Sequence, residues 1–287
     1  MTQELLTLAI LAKDKAHVLP LYLKMIERQT YPSSSINLYI RTNNNNDHTA
    51  EILKNWVDRV KDDYHEVYFD DGDVEEPVQE YSPHDWNALK LKVLGRIRME
   101  SIQWAMERGT HYAVVDCDNF IAPDTLESLM NTGLPAVAPL LKVAEVQESN
   151  YSNFHHLTDA NGYYIPSDPY FQILYRAIIG LIQVDVIHCT YLIRKEVLPY
   201  ARYDDDSARF EYVIFSQGLR NAGIPQYIDN RRIYGALTFV DTAEDFVEKN
   251  VEHNFYLLAE LPADTEVEVE APTDATDITD AADGDVQ

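Results

Sequence analysis

The sequence predicts an α/β protein in which a Rossmann-like, mostly parallel sheet is flanked by helices. Three observations favour this class. Residues 5–12 form a near-continuous apolar run, which is typical of a central strand buried on both faces. Strand-like and helix-like segments then alternate up to residue 115, and this alternation indicates a parallel sheet. A chain of 287 residues is long enough to bury the core that such a sheet needs.

The amino-terminal half contains four predicted strands and three predicted helices. Short apolar runs predict the strands, and apolar residues three or four apart predict the helices. The predicted strands are residues 5–12, 36–40, 66–69 and 111–115, and the predicted helices are residues 17–28, 47–60 and 86–108. Gly109 is well placed to end the third helix, since glycine commonly follows a helix C-terminus.

The carboxyl-terminal half has shorter predicted elements. Glycine and proline residues argue against a long helix in the aromatic-rich segment 151–175. We predict strand segments at residues 135–139, 184–187, 191–193 and 226–228, and helices at residues 207–221 and 241–260. Gly223 is expected to end the first of these helices.

The chain is strongly acidic, with a formal net charge of −25. Residues 262–287 carry nine Asp and Glu and no Lys or Arg. We therefore predict one domain at residues 1–261, followed by an acidic disordered tail at residues 262–287. Without the tail the charge is still about −16 (−25 + 9). This charge argues against a nucleic-acid partner, because phosphate backbones are bound by basic surfaces.

Several features bear on cellular location. The sequence has no run of 18 apolar residues, so no membrane span is expected. Its amino terminus lacks the basic segment of a signal peptide. The two cysteines, Cys117 and Cys189, lack CxxC spacing, which favours a reducing compartment. We therefore expect a cytoplasmic protein.

Two carboxylates follow the predicted fourth strand. Asp116, Cys117 and Asp118 come directly after an apolar run, and burying a carboxylate without a partner is costly. Ligands of open α/β sheets bind at the carboxyl ends of the strands. An Asp-x-Asp motif in this position is how many nucleotide-sugar transferases hold a divalent metal on a diphosphate. The competing interpretation is that Asp118 caps the next helix.

The exits of the first two strands should reach the same edge of the sheet. We predict that the polar residues there bind a uracil base and a ribose, and that the two aspartates bind Mn²⁺ or Mg²⁺, which prefer oxygen ligands. The predicted nucleotide-binding residues at these exits are Ala12, Lys13, Asp14, Thr42, Asn43 and Asn44. Equally, Asp14 fits a helix cap and residues 42–47 fit an ordinary loop.

Two further predictions concern basic residues. Arg96 and Arg98 lie two positions apart on a predicted helix, so at most one points into the cleft and the other forms a surface ion pair. We include Arg96 among the predicted cofactor-binding residues. His188 follows an apolar strand and is a candidate third metal ligand, because imidazole can bind Mn²⁺. A hydrogen-bonded structural histidine is the alternative.

The chain resembles the procollagen galactosyltransferase family, which includes the cerebral endothelial cell adhesion molecule. The resemblance extends over about residues 5–240 and rests on several motifs in the same order. These motifs are LAK at 11–13, HVLP at 17–20, RTNNNNDHT at 41–49, VDCDN at 115–119, YSNF at 151–154, GYY at 162–164, VIHCTYLI at 186–193 and YG at 234–235. Several ordered motifs are more specific than Asp-x-Asp alone.

The resemblance implies a glycosyltransferase A-type fold and metal-dependent transfer of galactose or glucose from a UDP-sugar. The implied acceptor is a protein or a glycan, namely hydroxylysine or its galactoside in collagen-like chains. The family's animal enzymes have two transferase-like domains, and this chain resembles the amino-terminal one. Where the family tends to have Asp at the base of the uridine site, this chain has Asn43.

Glu211 aligns with an acidic position of the resembled family, and we predict that it is the catalytic base. Its alternative role is to complement a helix dipole. The resemblance therefore implies a UDP-hexose-dependent transferase, and it is the resemblance alone that implies inversion. The alternative is a non-catalytic module that binds a nucleotide sugar. A nucleotidyltransferase is disfavoured, because residues 12–18 contain no glycine for a phosphate loop.

Overall fold

The computed structural model describes residues 3–78, 87–144, 149–205 and 207–248. Helices and strands alternate along the first half of the chain, as predicted. The α-helices in the described residues are α1 Leu19–Glu27, α2 Thr49–Val60, α3 Ala88–Arg108, α4 Thr125–Asn131, α5 Asp168–Leu174, α6 Glu211–Asn221 and α7 Ala243–Glu248. None of these helices has the length and apolarity required to cross a membrane.

The described residues also form fifteen strands, most of them short. They are β1 Leu6–Ala12, β2 Ile36–Thr42, β3 Glu66–Asp70, β4 His111–Val115, β5 Asn119–Ile121, β6 Ala136–Pro139, β7 Lys142–Val143, β8 Phe154–His155, β9 Leu157–Thr158, β10 Tyr164–Ile165, β11 Leu181–Val184, β12 Val186–Ile187, β13 Thr190–Ile193, β14 Gln226–Asp229 and β15 Gly235–Leu237.

Eight of these strands form the central sheet, in the order β11-β14-β6-β13-β4-β1-β2-β3. Six of them run in one direction, whereas β13 and β11 are antiparallel to their neighbours. β13 runs against its neighbours β4 and β6 because it begins at the carboxyl edge of the sheet, where Thr190 lies opposite Val115. The backbone N–H of Asp116, just after β4, donates to the carbonyl of Cys189, just before β13, at 3.1 Å.

Apolar side chains cover both faces of the sheet. One core cluster joins alternate residues of β1 to helices α1, α2 and α4. The other joins the opposite face to helices α3, α5 and α6. Because β1 is covered on both sides, nearly all of its residues are buried, which explains its continuous apolar sequence. The prediction of a mostly parallel sheet flanked by helices is confirmed.

Two helices predicted in the carboxyl-terminal half are described over shorter ranges. The helix predicted at 207–221 begins at Glu211, because Phe210 has an extended backbone (φ −60°, ψ 141°) and Ser207 is hydrogen-bonded to Asp205 in a turn. Of the helix predicted at 241–260, the described residues include the first part as α7, Ala243–Glu248, and residues 249–260 lie outside the described residues. The predicted tail at 262–287, and with it the domain boundary at 261, also lies outside them.

A second, three-stranded sheet has the order β5-β15-β7 and follows the Asp-x-Asp segment. Gly235 in β15 has φ +146° and packs directly on the backbone of β5. A Cβ atom there would overlap the carbonyl oxygen of Phe120. This position therefore requires glycine for two reasons, namely its φ angle and the close backbone approach.

We predict that Gly235→Ala lowers the free energy of unfolding by about 2 kcal/mol or more, because the backbone must shift to make room for the methyl group. Gly133→Ala is the matched control, since Gly133 also has a positive φ (+68°) but has open space around its Cβ position. Urea denaturation of both variants measures the difference. Equal losses would show that only the φ angle matters.

Candidate active site at the carboxyl edge of the sheet

The exits of β1, β2 and β4 lie side by side, because β1 pairs with both other strands. Hydrogen bonds join the three exits directly. The Asp14 carboxylate accepts from the backbone N–H of Asn46 at 2.6 Å, and the Asp14 N–H donates to Asn45 Oδ1 at 3.0 Å. Lys15 Nζ donates to Asp118 Oδ2 at 2.9 Å. The predicted convergence of these segments is therefore present.

Arg98 links two acidic residues of the site. It lies on α3, and its Nη2 donates to both Asp116 oxygens, at 2.9 and 3.1 Å. Its Nε lies 3.6 Å from Glu211 Oε1 at the first turn of α6. Only 6% of Arg98 and 7% of Glu211 is exposed. The guanidinium therefore compensates two carboxylates that come from different elements.

Burial and charge act in opposite directions on these carboxyl groups. Burial raises the pKa of Glu211 and of Asp116, and the neighbouring Arg98 guanidinium opposes both shifts. Burial is the larger effect, so both pKa values lie above their usual range. A carboxyl with a raised pKa is suited to exchanging a proton.

Asp118 has a different basic partner. Lys15 belongs to the loop after β1, and its backbone N–H donates to Thr49 Oγ1 at 2.7 Å. The Lys15 and Asp118 side chains are 27% and 31% exposed. The two aspartates therefore differ, since Asp116 pairs with a buried guanidinium and Asp118 with a partly solvated ammonium group.

The exit of β2 makes many hydrogen bonds within its own loops. Asn44 has φ +46°, and its Oδ1 accepts from the N–H of Val74 at 3.0 Å and from Asn43 Nδ2 at 2.8 Å. Thr42 Oγ1 accepts from Asn45 Nδ2 at 2.7 Å. These bonds agree with the alternative interpretation of residues 42–47 as a well-formed loop. The nucleotide-binding role of Thr42, Asn43 and Asn44 stays a prediction.

His188 lies in an aromatic cluster beside the aspartates. Its ring packs against those of Tyr151, His155 and Tyr212 at centroid distances of 4.9 to 5.9 Å. Burial lowers the pKa of His188 to about 3, so the ring is neutral. Within the part of the chain that the structure describes, no three His, Cys, Asp or Glu side chains form a metal-binding group. The ligand role of His188 stays a prediction.

The other predicted site residues are placed as follows. Cys117 is buried, and its Sγ lies 3.6 Å from the Leu11 carbonyl oxygen. Lys13 pairs with Asp14 at 2.8 Å. Arg96 forms two hydrogen bonds with Glu76, at 2.5 and 2.9 Å. Of the two arginines, Arg96 therefore forms the surface ion pair and Arg98 points into the site.

Lys15 was not predicted, and of the two arginines Arg96 was assigned to the site in place of Arg98. The two-residue spacing of Arg96 and Arg98 correctly indicated that they would diverge, but it did not indicate which one faces the aspartates. Arg98 lies four and seven residues before the apolar residues Ile102 and Ala105, both of which are fully buried. This helical spacing is the signal that could have placed Arg98 on the inner face.

The donor set at β4 suits a divalent cation. Asp116 and Asp118 supply carboxylate oxygens, and Mg²⁺ typically binds one or two carboxylates together with water and substrate phosphates. Both carboxylates form ion pairs with basic side chains, Asp116 with Arg98 and Asp118 with Lys15. A closed protein cage of three ligands is not needed for such a site.

The family of the chain follows from its sequence. The domain described as "Glycosyltransferase family 25, N-terminal domain" matches residues 4–258. The chain belongs to glycosyltransferase family 25. Human procollagen galactosyltransferase 2 is 30% identical over 266 residues, which cover 89% of this chain and 42% of that protein. Human inactive glycosyltransferase 25 family member 3 is 29% identical, with 90% and 44% covered. The chain thus spans less than half the length of these family 25 relatives.

Solved structures place this family 25 chain in a fold class. S. aureus TarS (residues 1–349) has a TM-score of 0.53 and 15% identity, covering 90% of this chain and 67% of the TarS chain. Its complex with UDP-GlcNAc has a TM-score of 0.51 and 13% identity, covering 90% and 68%. The glycosyltransferase A-type fold implied by the sequence is confirmed.

We predict that Arg98→Met lowers the free energy of unfolding by about 3–5 kcal/mol near neutral pH, because it leaves buried carboxylates without a partner. Their pKa values in the folded state would then lie further above the unfolded values. Stability falls as pH rises through such a raised pKa, so the deficit should be smaller at about pH 4 than at about pH 7.

Urea denaturation at both pH values measures this effect. Arg96→Met is the matched control, because it removes the same group from an exposed pair two residues away, and it should change stability little. An equal loss for both variants, or a deficit independent of pH, would contradict the compensating role of Arg98.

Proposed function

We propose that the chain is a metal-dependent glycosyltransferase that moves galactose or glucose from a UDP-sugar to a hydroxyl acceptor, with inversion. The single observation that carries the proposal is the placement of Asp116, Asp118 and Glu211 around the basic pair Arg98 and Lys15. Membership of family 25 supports the reaction class.

The donor would lie across the exits of β1, β2 and β4. The uridine would contact Ala12, Lys13, Asp14, Thr42, Asn43 and Asn44, and Arg96 would lie at the rim. TarS, which has a similar fold, has been solved with UDP and with UDP-GlcNAc, which supports a nucleotide-sugar donor. Asp118 and Asp116 would hold Mn²⁺ or Mg²⁺, which stabilises negative charge on the departing diphosphate.

Glu211 would act as the base. In a displacement with inversion, the acceptor hydroxyl must lose a proton as it attacks the sugar. The buried Glu211 carboxylate would accept that proton, and its raised pKa brings it closer to neutral pH than an exposed glutamate. Arg98 would act as a positioning residue, because it contacts Asp116 through Nη2 and lies near Glu211 through Nε.

The acceptor would approach over the aromatic cluster. Tyr151 is 41% exposed, and its ring lies 4.9 Å from that of Phe239 and 5.9 Å from that of His188. Aromatic faces suit the apolar faces of sugars and the flat surfaces of peptides. Asn153 is fully buried and bonds the Pro139 carbonyl, so its role is structural. The acceptor would be a protein, including hydroxylysine in collagen-like chains, or a glycan.

We predict that the protein with Mn²⁺ releases UDP from one UDP-sugar of a panel, because slow hydrolysis of the donor reveals a transferase site even without the acceptor. EDTA should abolish this release. Asp118→Asn should do so too, because it removes a carboxylate from the cation site. Coupled detection of UDP is the measurement. Absence of release from every UDP-sugar, together with absence of UDP binding in Mn²⁺, would contradict the proposal.

Glu211→Gln separates catalysis from binding. We predict that it lowers kcat for transfer by roughly 10²–10⁴-fold, because the amide cannot accept the acceptor's proton. Binding of UDP in Mn²⁺, measured by calorimetry, should stay within about twofold of the wild type, since Glu211 is assigned no donor contact. Unchanged kcat would remove Glu211 from the mechanism.

A non-catalytic nucleotide-sugar module is the second candidate. The observation that favours it is the 29% identity to a human relative whose name describes it as inactive. This candidate predicts UDP binding without release of UDP from any donor, and without transfer. The donor panel therefore distinguishes the two candidates directly.

A further inference from the structure

The two aspartates hold their basic partners in different ways. The Arg98 guanidinium is buried and lies beside both Asp116 and Glu211, at 2.9 and 3.6 Å, so two carboxyl groups hold it. The Lys15 ammonium group pairs with Asp118 at 2.9 Å, and the Lys15 side chain is 27% exposed. Lysine carries a compact charge on a flexible stem, whereas arginine is planar and more rigid. The partner of Asp118 is therefore the exchangeable one.

The backbone of Lys15 cannot move with its side chain. Its N–H donates to Thr49 Oγ1 at 2.7 Å, and the next N–H, that of Ala16, donates to Asp47 Oδ2 at 2.9 Å. Both acceptors belong to the start of α2 and the loop before it. The base of the side chain is thereby anchored at the edge of the sheet, so any movement of the ammonium group must come from rotation about the bonds of its four-carbon stem.

Two basic groups face three carboxyl groups at this edge. Lys15 pairs with Asp118, and Arg98 lies against both Asp116 and Glu211. A divalent cation alone would add two positive charges next to the ammonium group of Lys15. A diphosphate alone would add negative charge next to the carboxylates. Because the two ligands carry opposite charges, each should favour the binding of the other.

We propose that Lys15 couples binding of the divalent cation to binding of a nucleoside diphosphate. Without ligands, its ammonium group occupies the place beside Asp118 Oδ2 where a divalent cation would bind. When the cation binds there, the ammonium group would move to the diphosphate. This inference rests on the proposed function, since it needs a diphosphate ligand at this edge. It adds that Lys15 is the residue that couples the binding of the two ligands.

Mn²⁺ binding measures the coupling directly. The probe is the paramagnetic resonance signal of free Mn²⁺, titrated into the full chain with and without UDP, so the readout does not depend on turnover. Lys15→Met removes the charge and keeps the apolar stem. Lys61→Met is the matched control, because Lys61 is exposed and pairs with Asp58 at the far end of α2. Asp118→Asn tests the cation site itself.

Without UDP, Lys15→Met should bind Mn²⁺ about tenfold more tightly than the wild type, because the competing ammonium group is gone. With Mn²⁺ present, it should bind UDP about tenfold more weakly, because the diphosphate has lost a positive partner. The factor by which UDP strengthens Mn²⁺ binding should therefore fall. Lys61→Met should match the wild type in both titrations.

Two other results are distinguishable. In the first, the wild type binds Mn²⁺ and UDP together, Asp118→Asn abolishes this binding, and Lys15→Met changes neither affinity. This result would overturn only the inference, and Lys15 would then form a static ion pair. If the wild type binds no UDP in Mn²⁺, the proposed function fails and the inference fails with it.

Discussion

The buried guanidinium of Arg98 is the constraint on which the rest of the site depends. It joins Asp116 after β4 to Glu211 at the start of α6, so it fixes the distance between the sheet edge and that helix. Helix α3 can bring Arg98 there because Gly95 lies against the backbone of residue 203, and a Cβ at Gly95 would be 2.6 Å from that carbonyl oxygen. Replacing Arg98 alone would leave Asp116 and Glu211 buried without a compensating positive charge, and replacing the carboxylates would leave the guanidinium buried without a negative charge.

The site combines a rigid half with an adaptable half. The rigid half consists of the Arg98 network and the packed rings around His188, where burial keeps the imidazole neutral. The adaptable half is the Lys15–Asp118 pair, which lies closer to solvent. This arrangement suits the proposed transferase, in which the reacting groups would be held in place while a highly charged donor enters and leaves.

Much of the architecture was predictable, because the physical signal is local. The apolar run of β1 and the helical spacing of α1 and α2 reflect burial against the two faces of one sheet. The reversed direction of β13 was not predictable, because 50 residues separate β6 from β13, and the short strands among them, including β11 of the same sheet, carry no periodic signal. The start of α6 was missed by four residues, because Phe210 adopts an extended conformation before it.

The sequence by itself determined the fold class, the family and the candidate carboxylates Asp116, Asp118 and Glu211, since strand exits and ordered motifs are properties of neighbouring residues. Only the tertiary structure decided which cations face them. Arg96 and Arg98 have the same chemistry two positions apart, yet one pairs with Glu76 and the other with Asp116, and Lys15 meets Asp118 across 103 residues of sequence. Pairing between distant charges depends on how helices pack on the sheet, and that packing is a property of the whole chain.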